Sequence, residues 1–146
     1  MSVEKLVGLE KKAMDISTRA HFEQVDKVGK DYVPHPIRVS EMGKNENERI
    51  VGLLHDVVED SDVTLENLWN EGFSVEVIAA IDSLTKRVGE AYHEYIIRVK
   101  ENELARTVKL YDIEDSLDPF RLKNASVEDR IRLTEKYKAA RMYLEI

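Results

Sequence analysis

An all-α fold follows from three features of the sequence. Apolar residues recur at three- and four-residue steps over most of the chain. Aromatic and β-branched residues nowhere alternate over a strand length. Capping and stopping residues (Thr64, Ser74 and Ser126; Gly43, Gly72 and Pro119) fall between the periodic stretches. With no internal repeat or low-complexity tract, residues 1–146 read as one compact helical domain, with a packing helix at about 126–144.

The first helix is expected from Ser2 to about Lys27. Its stripe is Val3, Leu6, Leu9, Ala13, Ile16 and Ala20, and Gly29 ends it or opens the following loop. His21 lies near the stripe. It reads either as a core histidine donating to a backbone carbonyl or as a substrate contact. Two prolines in Tyr32-Val33-Pro34-His35-Pro36 restrict the backbone around His35, and Pro36 suits a first helical turn. A short helix over Ile37–Met42 stops near Gly43, and Lys44-Asn45-Glu46-Asn47 links it to the next.

That next helix, expected from about Asn47 to Val58, organises the chain. Ile50-Val51-Gly52-Leu53-Leu54-His55-Asp56-Val57-Val58-Glu59-Asp60 is apolar on nearly every side, so it should be buried. Its second half nevertheless holds one histidine and three carboxylates. Unpaired charge in a core is costly, and no basic residue lies within the stretch. A bound cation resolves the conflict most simply.

Thr64 should cap a helix through Leu68 and Trp69 that ends at Gly72. Ser74 should cap another with Val75, Val77, Ile78, Ala80 and Ile81 inward. Thr85-Lys86-Arg87-Val88-Gly89-Glu90 reads as a loop with two adjacent cations, either a solvated turn or a phosphate contact. Tyr92–Lys100 and Glu103–Leu117 follow as helices. Leu104, Val108 and Asp112 lie four apart, which puts Asp112 on an apolar stripe, where it needs a cation or several donors. Lys109 and Arg121 offer a salt bridge as the competing explanation. Asp118-Pro119 breaks the helix. The last one turns Leu133, Tyr137, Ala140 and Leu144 inward. His93, in a charged segment, reads as a surface residue.

Composition narrows the chemistry. The chain has no cysteine, so thiolate metal sites and disulfides are excluded. A metal would be held by His, Asp and Glu, donors that suit Mn, Mg, Fe or Zn. A net charge of −7 argues against a general nucleic-acid binder. No apolar run approaches a membrane span, and the opening residues lack a signal peptide's apolar core. A cytoplasmic location is the expectation.

His35, His55-Asp56 and Asp112 form a discontinuous set of nitrogen and oxygen donors. On a helix, Glu59 lies one turn beyond His55, and Asp60 one turn beyond Asp56. Both would flank an ion held there, where a general acid/base or water-orienting group belongs.

In order and content these residues resemble the HD-domain superfamily of metal-dependent phosphohydrolases. The resemblance is closest to the (p)ppGpp hydrolase branch of the stringent-response synthetase/hydrolases, and to short single-domain HD proteins. Five blocks carry it between about residues 20 and 118. They are Ala20-His21, Gly29-Lys30-Asp31-Tyr32-Val33-Pro34-His35-Pro36, Leu53-Leu54-His55-Asp56-Val57-Val58-Glu59-Asp60, Leu84-Thr85-Lys86, and Val108-Lys109-Leu110-Tyr111-Asp112.

The resemblance implies one Mn²⁺-like divalent ion on His35, His55, Asp56 and Asp112. It implies that Glu59 and Asp60 handle water and protons, and that Lys86, with Lys27 or Arg121, holds phosphate oxygens. The substrate would be a small phosphorylated nucleotide, losing pyrophosphate from its 3′ position. No nucleic-acid or membrane partner is implied, and a homo-oligomer is compatible with the reading.

Two positions depart from the branch. Asp26-Lys27 stands where a basic pair is usual, and Ser116 stands where an asparagine follows the last aspartate. These changes keep two rivals open: a phosphohydrolase of other nucleotides, such as nucleoside monophosphates, and a non-catalytic metal- or nucleotide-binding module.

Overall fold

The computed structural model describes residues 3–22 and 34–146. These are helices and connecting turns, with no strand among them. The all-α expectation holds.

The first helix, α1 (Val3–His21), ends earlier than expected, with Phe22 in a turn. Asp26, Lys27 and the Gly29–Val33 part of the second sequence block lie outside the described residues. Next, α2 (Pro34–Glu41) begins at the first proline and places His35 and Pro36 in its opening turn, both buried. After an Asn45 cap comes α3 (Glu46–Leu54).

The expected single helix over 47–58 is corrected here. It is two pieces, α3 and the one-turn α4 (Val57–Asp60), separated by a turn at His55-Asp56. Asp56, at φ −125° and ψ 11°, has left helical geometry. No proline or glycine marks this break. It coincides with the chemistry-bearing pair.

Thr64 caps α5 (Leu65–Asn70) in a reciprocal capping box with Asn67, and Gly72 follows at φ 99°, a backbone state that favours glycine. Ser74 caps α6 (Val75–Leu84). Val75, expected inward, is exposed, because as the first helical residue it faces away from the stripe of Val77, Ala80, Ile81 and Leu84. The next helix, α7 (Tyr92–Lys100), has the expected bounds. Then comes α8 (Glu103–Ser116), capped by Asn102. Asp118-Pro119 starts a further one-turn helix, α9 (Pro119–Leu122), and Ser126 caps α10 (Val127–Glu145).

The centre of the fold is α3, which packs against α1, α2, α6 and α8. Its residues Ile50, Val51, Leu53 and Leu54 join Ala13, Val39, Ile81, Val108 and Ile113 in one apolar core. The approach of α2 to α3 depends on Gly52: a Cβ there would lie 2.9 Å from Ser40 Cα and 3.0 Å from its backbone nitrogen. Ser40 Oγ then donates to the Arg49 carbonyl at 2.9 Å, closing the same contact. This close packing brings His35 on α2 to His55 at the end of α3. No helix among the described residues is long and apolar enough to cross a membrane.

Candidate metal centre

Four side chains from three parts of the chain converge beneath α3. The rings of His35 and His55 meet edge to face, with centroids 5.4 Å apart. His35 Nε2 lies 2.8 Å from Asp112 Oδ1. His55 Nε2 lies 3.6 Å from the same oxygen and 3.6 Å from Asp56 Oδ2. Each of the four residues is at most 8% exposed. His35 is therefore buried rather than at the surface.

Both imidazoles present Nε2 because Nδ1 is occupied. His55 Nδ1 donates to the Gly52 carbonyl at 2.7 Å. His35 Nδ1 lies 2.5 Å from Asp115 Oδ2. His35, His55 and Asp56 each offer a ligand atom within 4.8 Å of the others. Nitrogen and carboxylate donors so arranged suit a divalent cation.

The two oxygens of Asp112 divide the explanations left open by the sequence. Oδ1 faces the two histidines, and Oδ2 accepts from Lys109 Nζ at 2.8 Å. Burial opposes the charge on Asp112, but Lys109, His35 and His55 outweigh it and hold its pKa well below the usual carboxylate range. Burial likewise opposes the charge on Lys109, and Asp112 with the tyrosine groups restores it. Lys109 Nζ also sits 5.2 Å from the centre of the Tyr95 ring. Arg121, the other salt-bridge candidate for Asp112, instead donates to Asp115 at 3.1 Å.

Asp56 has a different environment. Burial raises its pKa, against the opposing effect of His21, whose Nε2 is 3.1 Å from Asp56 Oδ1. His21 is wholly buried behind Asp56, which favours a supporting role over substrate contact.

Glu59 and Asp60 lie on α4 at the edge of this centre, open to solvent on one side and partly desolvated by the surrounding protein on the other. Burial and the charge of Asp60 raise the Glu59 pKa, and burial and Asp56 raise that of Asp60. Asp60 also lines a cavity of about 560 Å³ with Arg19, Asp62 and Val63. The backbone of Lys86 lies near enough to Glu59 to oppose the rise in its pKa, which sets the Lys86 loop beside Glu59. Arg87 turns back onto its own loop, donating to Asp82 Oδ1 at 2.8 Å and to the Thr85 carbonyl at 2.7 Å. Of the two adjacent cations, Arg87 belongs to the turn. His93 is exposed, as expected.

Sequence reasoning missed Asp115 and Arg38. Arg38 Nε donates to Asp115 Oδ1 at 2.7 Å, so one buried carboxylate joins His35, Arg38 and Arg121. A signal was present: Asp115 stands three residues after Asp112, hence on the same helical face.

A buried His/Asp cluster between helices is a site that could hold a divalent cation. No family model matches the chain. A guanosine-3′,5′-bis(diphosphate) 3′-pyrophosphohydrolase of Aquifex aeolicus is 30% identical over 118 residues, covering 73% of this chain and 17% of that protein. Its counterpart in Borreliella burgdorferi is 38% identical over 79 residues, covering 51% of this chain and 12% of that one. A GTP pyrophosphokinase of Streptomyces coelicolor is 30% identical over 143 residues, covering 92% and 16% respectively. The chain thus spans under a fifth of the length of these relatives. A solved structure, described as a metazoan ortholog of SpoT that hydrolyses ppGpp, superposes with a TM-score of 0.73 at 23% identity. The match covers 93% of this chain and 84% of that one. In sequence the chain is thus similar to a segment of these guanosine-bis(diphosphate) pyrophosphohydrolases and GTP pyrophosphokinases, and it shares the fold of the solved structure.

Proposed function

We propose that this chain is a metal-dependent phosphohydrolase that removes pyrophosphate from the 3′ position of (p)ppGpp or a closely related nucleotide. The observation that carries the reading is the convergence of His35 and His55 Nε2 with the Asp56 and Asp112 carboxylates in a buried pocket. These four would hold the ion; their imidazole and carboxylate donors suit Mn, Mg, Fe or Zn, and Mn²⁺ is the one the family resemblance implies. A bound divalent cation acidifies water and offsets charge growing on phosphoryl oxygens.

The chain's own groups supply the rest. Glu59 and Asp60, with raised pKa values beside the centre, are the residues to orient the attacking water and take its proton. Their carboxylates would then return a proton to the departing oxygen. Lys86, on the loop held against Glu59, reaches for a phosphate oxygen. The reading carries with it a single domain over residues 1–146 and a cytoplasmic setting.

The acidic Asp26 and Ser116 at positions where the branch carries other residues keep nucleoside monophosphates as the rival substrate class. Product analysis decides. The protein with Mn²⁺ is given ppGpp, 3′- and 5′-monophosphates, and nucleoside triphosphates, and released phosphate and pyrophosphate are measured separately. Pyrophosphate from ppGpp, abolished by Asp56→Ala, is the expected result. Orthophosphate from monophosphates alone would give the reaction to the rival. Tight nucleotide binding with no product would assign a sensing module.

A further inference from the structure

We infer that Asp115 is a positioning residue for His35, accepting its Nδ1 proton and so aiming Nε2 into the metal centre. The inference rests on the reading of His35 as a ligand. Asp115 Oδ2 lies 2.5 Å from His35 Nδ1, on the opposite side of the ring from Asp112. A histidine that gives Nδ1–H to a carboxylate keeps its Nε2 lone pair for a cation and becomes a stronger donor.

The carboxylate is itself fixed. Arg38 supplies Nε at 2.7 Å to Oδ1 and a second nitrogen at 3.2 Å to Oδ2. Arg121 adds a donor at 3.1 Å to Oδ2, and the same nitrogen is 3.0 Å from His35 Nδ1. Both oxygens of Asp115 thus face guanidinium N–H donors, so the carboxylate is held in place as an acceptor. Asp115 shares α8 with Asp112, so one helix delivers both a candidate ligand and the group that orients another. The Gly52 carbonyl does the same service for His55. The two imidazoles are therefore set by different means, one by backbone and one by a charged side chain that substitution can remove.

The test is Mn²⁺ affinity, read by the loss of the free-ion EPR signal, for the wild type and for Asp115→Ala, Asp115→Asn and Asp115→Glu. Circular dichroism and the metal-free Tm are recorded alongside. Loss of a supporting carboxylate of this kind weakens metal binding about ten- to a hundred-fold. That weakening is expected in Asp115→Ala and, more mildly, in Asp115→Asn, with partial recovery in Asp115→Glu. If the alanine variant does not fold, the other two decide. A lower Tm with unchanged Mn²⁺ affinity in folded variants would reduce Asp115 to a structural salt-bridge residue and overturn the inference. Failure of the wild type to bind Mn²⁺ would remove the metal reading and this inference with it. Metal binding that follows the expected order, without turnover of any nucleotide, would leave the inference standing and defeat the hydrolase reading alone.

Discussion

His55 donates its Nδ1 proton to the carbonyl of Gly52, 2.7 Å away, at the point where α3 stops being helical. The carbonyl of Gly52 orients the ring. The missing side chain of Gly52 lets α2 come close enough to bring His35 alongside. One residue thus sets both the direction of one imidazole and the distance to the other.

Gly52→Ala should separate these functions from general folding. The added methyl would sit under 3.0 Å from Ser40 Cα, so α2 must move. Overpacking of this kind costs about 1–3 kcal/mol. Urea unfolding should give that loss, and Mn²⁺ affinity should fall with it. Unchanged stability would mean that α2 and α3 are not locked as described.

Asp112 and Lys109 should be strongly coupled. Asp112→Ala leaves a buried ammonium without its carboxylate, which costs about 3–5 kcal/mol. Adding Lys109→Met should restore much of that stability while leaving metal binding absent. A double variant no more stable than Asp112→Ala would contradict the pairing.

The loop bearing Lys86 should loosen in acid. Glu90 takes paired bonds at 3.0 Å from Arg98 Nε and Nη2, and a third from the Arg87 backbone at 2.9 Å. The Arg98 bonds, chiefly, lower the Glu90 pKa from 4.5 to about 2. A depressed carboxylate pKa gives stability that is fully present above the unfolded value and lost as pH falls through the folded one. Amide exchange at residues 85–90, corrected for intrinsic rates, should therefore accelerate between about pH 4.5 and pH 2. In Glu90→Gln the loop should already exchange faster at neutral pH and lose that dependence. A wild-type loop with flat protection across this window would refute the clamp.

Lys86→Ala should raise KM about ten-fold, the worth of one charge-assisted contact of about 1.4 kcal/mol, with Tm unchanged. The matching change at Arg87, which ties Asp82 to Thr85, should instead lower Tm. Equal effects at both positions would show that the loop acts only as scaffold.

Much of this was legible in the sequence because helix ends have local causes. The caps at Thr64, Ser74 and Ser126 each accept the expected backbone N–H, and Tyr92–Lys100 is bounded as read. The suspicious carboxylates, Asp56 and Asp112, were visible because they interrupt apolar patterns, and an oxygen of each lies 3.6 Å from His55 Nε2. The break at His55-Asp56 was not visible. Its cause is the ring's bond to Gly52 and the demands of α1 and α8 around it, which no local propensity encodes. Asp115 escaped notice because acidic residues surround it in Glu114-Asp115-Ser116, and only packing distinguishes the buried one from its exposed neighbour Glu114.

The central claim, a single ion held jointly by His35, His55, Asp56 and Asp112, is tested most directly by metal stoichiometry. Equilibrium dialysis against Mn²⁺ should give one ion per chain in the wild type and none in folded His55→Ala or Asp56→Ala. An ion that persists in both variants, or a wild type that retains none, would contradict it.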